Sequence, residues 1–275
     1  MEKILLYKDI DQIKDYIDRY SLEHIKNGQI GKFECHANFN LLSFDWHDIE
    51  APDDPPSLII IHFSEQNIFF ICEDERSLNK VQKLYKKDDS NEKMIYNFFA
   101  ELIKGDSDFL ETLEELITET EDALLTSSKK ECADEIISYR RELLKLKRYY
   151  EQLNRIFEGL VQNENNIISK DSLRYFHILD NRIDRLFANV LNLRDYVTQV
   201  REAYQAQIDI EQNNLMRVFT VVTSIFLPLT LIVGWYGMNL QMPEFSWQYG
   251  YLFVIGLSIL ITIVCLVIFK RKKWF

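Results

Sequence analysis

Glycine and proline are scarce in this 275-residue chain, at 8 and 5 residues. That scarcity excludes collagen-like repeats, flexible linker arrays and the glycine-rich loops that cradle nucleotide phosphates. The four cysteines, Cys35, Cys72, Cys132 and Cys265, show no C-x-x-C spacing and no framework. They read as reduced cytosolic or lipid-facing thiols. The five histidines (His24, His36, His47, His62, His177) show no paired zinc spacing. Cys35-His36 with His47 is one candidate zinc grouping, set against ordinary surface or core positions. No Ser/His/Asp or Cys/His constellation stands in a pocket context, so an enzyme is not expected. The amino end, MEKILLYKDI, lacks the apolar region of a signal peptide and is expected to stay in the cytosol.

Basic charge is scarce over most of the chain. The totals are 32 Lys and Arg against 43 Asp and Glu. Residues 217–275 hold five bases (Arg217, Lys270, Arg271, Lys272, Lys273) and one acid, Glu244, which leaves residues 1–216 at a net −15. An acidic domain of this kind is a poor nucleic-acid binder, because neutralising phosphates needs clustered Lys and Arg. It attracts cations instead.

Two long runs lack charge altogether. Residues 218–236, VFTVVTSIFLPLTLIVGWY, span 19 positions, about 29 Å as a helix. Residues 249–269, YGYLFVIGLSILITIVCLVIF, span 21, about 32 Å. Both are read as membrane spans. Arg217 precedes the first, residues 270–273 are basic after the second, and the loop 237–248 has no Lys or Arg. The positive-inside rule then puts both termini in the cytoplasm and the loop outside. Trp235, Tyr236, Trp247, Tyr249 and Tyr251 gather at the outer interface and Trp274 at the inner one, as aromatic anchors. Pro228 removes one helical hydrogen bond, which a lipid-facing helix would leave unsatisfied. The first span is therefore expected inside an assembly, with the second facing lipid.

The remainder divides by pattern. Residues 1–105 read as a mixed α/β cytosolic domain, with a helix at 9–20, strands at 32–39, 41–46, 58–63 and 67–72, and helices at 77–86 and 92–103. Residues 106–166 read as an acidic helical hairpin, its helices jointed near 126–129 and its end marked by a turn at 163–166. Its first helix carries Asp106, Asp108, Glu111, Glu114, Glu115, Glu119, Glu121 and Asp122: a solvated acidic face, or an attractor of cations near a pore mouth. Residues 167–217 read as a stalk helix running without a break into the first span (218–236). The outer loop (237–248), the second span (249–269) and a basic cytosolic tail (270–275) follow. The fold class is thus an α+β membrane protein: cytosolic α/β domain, acidic helical hairpin, and a long stalk helix continuing into two carboxyl-terminal transmembrane helices.

Two stripes run along the stalk. Leu179, Ile183, Leu186, Val190, Leu193, Val197, Val200 and Tyr204 step by 4 and 3 in turn, a heptad seam. Asp195, Gln199, Glu202, Ala206, Asp209, Asn213, Met216 and Thr220 step likewise. Two positions apart on a helix is about 200°, so this acid–amide stripe lies opposite the seam. It lines a water-filled path or is a plain solvated face.

At the outer end of the first span stand Gly237-Met238-Asn239, then Met242-Pro243-Glu244. Here the chain resembles the CorA family of magnesium transporters, the two-TM-GMN family. The likeness covers residue 213 to the end: NNLMRV, the span with SIFLPLT, YGMN, MPE, the second span and the tail FKRKKWF. The stalk and hairpin fit the family's cytosolic funnel, and residues 1–105 resemble it only coarsely.

The resemblance implies a homopentamer in a bacterial inner membrane, moving hydrated divalent cations through one central pore lined by the first span. It places Asn213, Met216, Phe219, Thr223, Leu227, Thr230 and Gly234 toward that pore and Asn239 at its outer mouth. The stripe read from pattern reaches Thr220 where the resemblance has Phe219. Mg²⁺ prefers octahedral oxygen coordination and gives up water reluctantly. A ring of Asn239 amides would then accept hydrogen bonds from its hydration shell, with Gly237 allowing the bend and Met238 packing the loop. Met216 and Phe219 would gate by dewetting, and Asn213, Asp209 and Glu202 would hold the hydrated ion below them. Partners would be further copies of the chain, lipid and divalent cations. No cofactor is implied. Mg²⁺ is cargo and, by the same resemblance, a regulatory ligand that favours closure. The stalk position where the family often carries a regulatory aspartate is Ile178 here, with Asp180 and Asp184 nearby as candidates or as plain surface acids.

Two rivals keep parts of this reading. A zinc transporter of the same fold shares the G-M-N tripeptide, and Co²⁺ and Ni²⁺ are further possible cargo. A non-conducting, membrane-anchored coiled-coil scaffold explains heptads and spans, but not the polar stripe, Pro228 or the outer motif.

Overall fold

The structure is a computed structural model that describes residues 1–88, 90–124, 129–238 and 247–272. The chain divides into two compact units, Met1–Arg201 and Glu202–Phe275.

The first unit is built on a five-stranded mixed sheet. Its strands are β1 (Glu2–Leu6), β2 (Phe33–Cys35), β3 (Asn40–Trp46), β4 (Ser57–Phe63) and β5 (Ile68–Cys72), in the order β1-β5-β4-β3-β2. β1 pairs parallel with β5 and the other neighbours pair antiparallel. Both faces of the sheet are covered, so β4 (SLIIIHF) and β5 (IFFIC) read as continuous apolar runs without alternation. One face carries Leu41, Ile60, Phe69 and Ile71, which pack with Ile10, Ile13, Ile17 and Ile25. Those isoleucines come from the 3₁₀ turn Tyr7–Ile13 and from α1 (Arg19–Lys26) with the loop before it. The other face meets α3 (Asn91–Leu102) and α5 (Lys129–Gln162) through an aromatic cluster. Phe44 and Phe99 lie 5.7 Å apart, Phe70 and Phe98 4.9 Å, and Phe99 and Phe157 5.0 Å between centroids, within the range where tilted and edge-to-face rings attract.

Four differences from the sequence reading stand out, three of them with local causes. The helix expected over 9–20 is instead the 3₁₀ turn followed by α1. The Asp18 carboxylate accepts from Ser21 N at 2.9 Å and so fixes the helix start at Arg19. The strand expected over 32–39 ends at Cys35, because His36 N donates to Phe39 O and closes a turn to β3. β1 was not foreseen at all: five residues beside a partner some 66 positions away give no local signal. α2 (Glu75–Leu84) begins two residues before the expected 77, where Asp74 and Ser77 form a reciprocal capping box.

Three long helices complete the unit. α4 (Asp106–Leu124) and α5 are the acidic hairpin. The joint expected at 126–129 lies, except for Lys129, outside the described residues. α5 ends in a turn where Asn163 and Asn166 take φ of 47° and 56°. The Asn163 side chain spans that turn, donating to Ile168 O and accepting from Ile168 N. α6 (Lys170–Tyr236) follows as one helix of 67 residues that contributes to both units. Its heptad seam from Leu179 to Val200 is buried within the single chain. Tyr196 of α6 donates to Glu121 of α4, and Arg182 donates to the carbonyls of Ile103 and Lys104. Gly159 of α5 admits the Phe33 ring so closely that an added Cβ would lie 2.2 Å from it.

In the second unit, α6 continues to Tyr236 and α7 covers Gly250–Arg271. Both helices are long and apolar enough to cross a membrane.

Candidate functional site

The sequence stripe is exposed, as is every residue from 209 to 220. Within the second unit, Glu202, Ala206, Asp209, Asn213, Met216 and Thr220 are all exposed. So are Phe219, Thr223, Leu227, Thr230 and Gly234. Met216 and Phe219 stay 62% and 65% exposed, a large apolar area for a folded chain to leave uncovered.

The opposite face of the same span packs on α7. Val221 is buried, and Ser224, Ile225, Pro228, Leu229 and Ile232 are half-buried. On α7 the corresponding row is Val254, Leu257, Ser258, Ile261, Thr262, Cys265 and Phe269. Each carried-over pore position from Phe219 to Thr230 stands two residues from a packed one: 219 from 221, 223 from 225, 227 from 229, 230 from 228 and 232. That is about 200° around the helix, so one face pairs with α7 and the other is left free.

Pro228 sits inside α6 and has no N–H to give to the carbonyl four residues back, that of Ser224. The Cys265 thiol of α7 donates to that same carbonyl, at 3.7 Å. The bond expected to be missing is therefore replaced by a weak S–H···O contact within the hairpin. This corrects the inference that Pro228 demands burial in a larger assembly, since the second helix already meets the need. Cys265 is a positional partner that the sequence reading took for a lipid-facing thiol. The need for a donor was readable, because a proline in a span orphans the carbonyl four positions earlier, but the residue that meets it was not.

Polar groups on the free face are held ready. Asp209 accepts from Gln205 Nε2 at 3.0 Å, an in-helix pair that steadies the carboxylate. Thr220 and Thr230 donate to the carbonyls of Met216 and Phe226, at 2.7 and 2.8 Å. With their protons spent on the backbone, both hydroxyl oxygens keep lone pairs for a hydrated cation's water. Thr223, Leu227, Thr230, Gly234 and Met238 border one shallow concavity of about 800 Å³ on this face. Gly237 closes the helix, its N–H donating to Val233 O at 2.9 Å. An added Cβ there would stand 2.8 Å from that carbonyl, and its φ is not positive. Closeness of approach, not left-handed backbone, is what this position asks of glycine. Asn239 of the outer motif, and most of the outer loop, lie outside the described residues.

The candidate regulatory acids lie in the first unit. Asp180 is half-buried, and burial, with the neighbouring Asp184 charge, raises its pKa above the usual carboxylate value. Ile178 is 55% exposed beside them. Among the described residues no three His, Cys, Asp or Glu side chains are grouped to chelate a metal, so neither these acids nor Cys35-His36 with His47 form a cage. His47 is instead buried on Glu142, Nε2 to Oε1 at 2.7 Å.

A family model described as CorA-like Mg2+ transporter protein matches residues 9–271. The chain belongs to that family, whose members are transporters and not enzymes. The cobalt/magnesium transport protein CorA of Thermotoga maritima is 29% identical over 182 residues, 66% of this chain and 52% of that one. The magnesium transport protein CorA of Helicobacter pylori is 32% identical over 121 residues, 44% of this chain and 37% of that one. The chain thus spans about half or less of the length of these curated relatives. The complete CorA magnesium transporter of Methanocaldococcus jannaschii superposes with a TM-score of 0.79 at 21% identity, covering 98% of this chain and 88% of that one. At that identity the likeness is one of fold. It extends the shared architecture to residues 1–105, which sequence resemblance alone reached only in coarse outline.

Proposed function

We propose that this chain carries Mg²⁺, still hydrated, across a bacterial inner membrane as a ring of five identical copies, with the first span lining the path and both termini inside. The observation that carries this reading is the two-faced first span: one face packed on α7, the other uncovered and lined by hydroxyl and apolar side chains, with exposed acid and amide side chains on the same helix below it. A single hairpin encloses nothing, so an uncovered face of this composition is best used against copies of itself around an axis. Glu202, Asp209 and Asn213 gather the ion at the inner end, Met216 and Phe219 form apolar constrictions, and Asn239 holds the hydration shell at the outer mouth. An inside-negative potential drives entry at about 4.6 kcal/mol per divalent ion per 100 mV, twice the single-charge value. Membership of a family described as Mg2+ transporters supports Mg²⁺ as cargo, and flux assays with Co²⁺, Ni²⁺ and Zn²⁺ rank the rest. The scaffold alternative loses its main support, because the heptad seam is buried against the chain's own helices and is not free to form a coiled coil.

Purified chain in liposomes loaded with a Mg²⁺-sensitive dye should take up Mg²⁺ when an inside-negative potential is imposed, and Asn239→Ala should abolish uptake. No flux from the unaltered chain would return the scaffold reading. Flux undiminished in the variant would remove Asn239 from the mechanism.

A further inference from the structure

The end of the second unit remote from the outer loop carries a group of bases that the transport reading does not use. Arg217 of α6 and Lys270, Arg271 and Lys272 at the end of α7 stand there, all exposed. None of the four forms an ion pair among the described residues. The nearest acid on either helix is Glu211, six residues from Arg217: about 9 Å along α6 and about 120° round it.

The register of the helix pair sets two of these bases together. The Cys265 thiol meets the Ser224 carbonyl, so those two positions stand level on antiparallel helices. Two turns back along α6 from Ser224 lies Arg217, and two turns on along α7 from Cys265 lies Lys272. Arg217 and Lys272 are therefore level as well, about 10 Å from the thiol contact. Each also belongs to the side that faces the other helix. Arg217 is one turn from Val221, and Lys272 is three residues from Phe269, the buried members of the two packed rows. Lys270 and Arg271 lie about 140° and 120° round α7 from Cys265, away from α6.

Two cations brought level across a packed helix pair repel each other unless an anion lies between them. Their place selects the anion. Both sit where the apolar runs of the two spans end, and exposed Val218 and Ile268 adjoin them on the apolar side. A free phosphate would gain the two charges alone. A phospholipid gains the charges and also lays its acyl chains along that apolar surface. Arginine presents a planar fork to phosphate oxygens and lysine a movable point charge, a pairing suited to a phosphodiester. A zwitterionic headgroup would bring its own ammonium against these bases, so a headgroup of net negative charge is favoured. We propose that Arg217 and Lys272 together grip the phosphate of an anionic phospholipid at one surface of the membrane. The proposal requires the two spans to cross a bilayer, as membership of a membrane-transporter family supports. It requires nothing of the ion path, so it stands or falls apart from the transport reading.

Native mass spectrometry of the purified full-length chain in detergent, titrated with phosphatidylglycerol or with phosphatidylcholine of the same acyl chains, reads the lipid bound per chain. Phosphatidylglycerol should fill one site per chain and bind at least about fivefold more tightly than phosphatidylcholine. Arg217→Gln and Lys272→Gln should each weaken it about fivefold, the effect of one base at a membrane surface. Arg217→Lys, which keeps the charge, should recover most of the binding. Lys270→Gln removes an equal charge away from the pair and should weaken binding less than about twofold. The proposal is overturned if the two lipids bind alike, or if inorganic phosphate displaces phosphatidylglycerol at equal concentration. It is overturned as well if Lys270→Gln costs as much as Lys272→Gln, which would mean diffuse attraction and no site. Glutamine variants that keep the lipid but lose oligomer mass would assign the two bases to carboxylates of another copy and overturn it too.

Discussion

Asp106 is the most instructive single residue for testing the energetics of the first unit. It opens α4, is 2% exposed, and accepts from the Tyr150 hydroxyl at 2.8 Å. Burial pushes its carboxyl up to about 6 from 3.8, while the Tyr150 bond and the charges of Arg182 and Lys80 pull back without prevailing. The folded state therefore holds a proton that the unfolded chain has released between pH 3.8 and about 6. In that window stability falls as pH rises, and above about 6 the whole cost of the buried charge is present. Roughly two pKa units correspond to about 3 kcal/mol. Asp106→Asn retains an acceptor for Tyr150 and removes the charge. It also gives up the favourable placement of an anion at a helix N-terminus, up to about 1 kcal/mol. The net gain is about 2 kcal/mol at pH 8, or about 4–8 °C in the melting temperature of a domain this size. Melts of the full-length chain in detergent, followed by circular dichroism at 222 nm, should show the variant ahead at pH 8 and level with the unaltered chain at pH 4. A variant equal or inferior at pH 8 would refute the argument that burial dominates this site.

The remaining predictions test other joints. Gly159→Ala forces a methyl onto the Phe33 ring and should cost about 1–3 kcal/mol, read as a lowered melting temperature. Phe33→Leu in the same chain should recover part of the loss. Cys265→Ala leaves the Ser224 carbonyl without the donor that replaces the Pro228 N–H and should cost about 1 kcal/mol. Amide exchange in α6 near residue 228 should then accelerate, while Cys265→Ser should not accelerate it. In membranes, cysteines placed at Glu202 or Asp209, both exposed, should crosslink between copies more readily than one at Val200, which is 1% exposed. The reverse ranking would put the contact between copies on the wrong face of α6.

Legibility in the sequence followed the range of the forces involved. α4, α5 and the stalk part of α6 were readable because one apolar face recurs every three or four residues over many turns, and the two spans because they are long runs without charge; neither signal depends on tertiary arrangement. The sheet was only partly readable. β4 and β5 showed as apolar runs, but buried on both faces they carry no alternation to say which neighbour lies where. β1 was missed because its partner is distant, and α1 was misplaced because one cap, Asp18, outweighs the loose apolar pattern before it. At the site, types of residue were readable and partners were not. The polar stripe and Pro228 stood out. That Cys265 answers Pro228 depended on how two helices lie against each other, which spacing within either helix does not contain.

The one-residue disagreement inside the first span has a geometric resolution of the same kind. A stripe read by alternating steps of 3 and 4 assumes 3.5 residues per turn, whereas a straight α-helix has 3.6, so the reading drifts by about 20° per heptad. From Asp195 to Met216, three heptads, the drift amounts to about 60°. The next step along the row is 3 and reaches Thr223, which is exposed, so the stripe and the carried-over positions rejoin there and part only at 219 and 220. Measured from the centre of the packed row Val221, Ile225, Pro228 and Ile232, Phe219 lies about 150° round the helix and Thr220 about 110°. Thr223 and Thr230 lie nearer still to the far side. If the path is formed by the face that α7 leaves free, Phe219 and not Thr220 is the constriction above Met216. Cysteine at 219 should therefore crosslink between copies faster than cysteine at 220. Equal or reversed rates would mean that the free face is not the shared one.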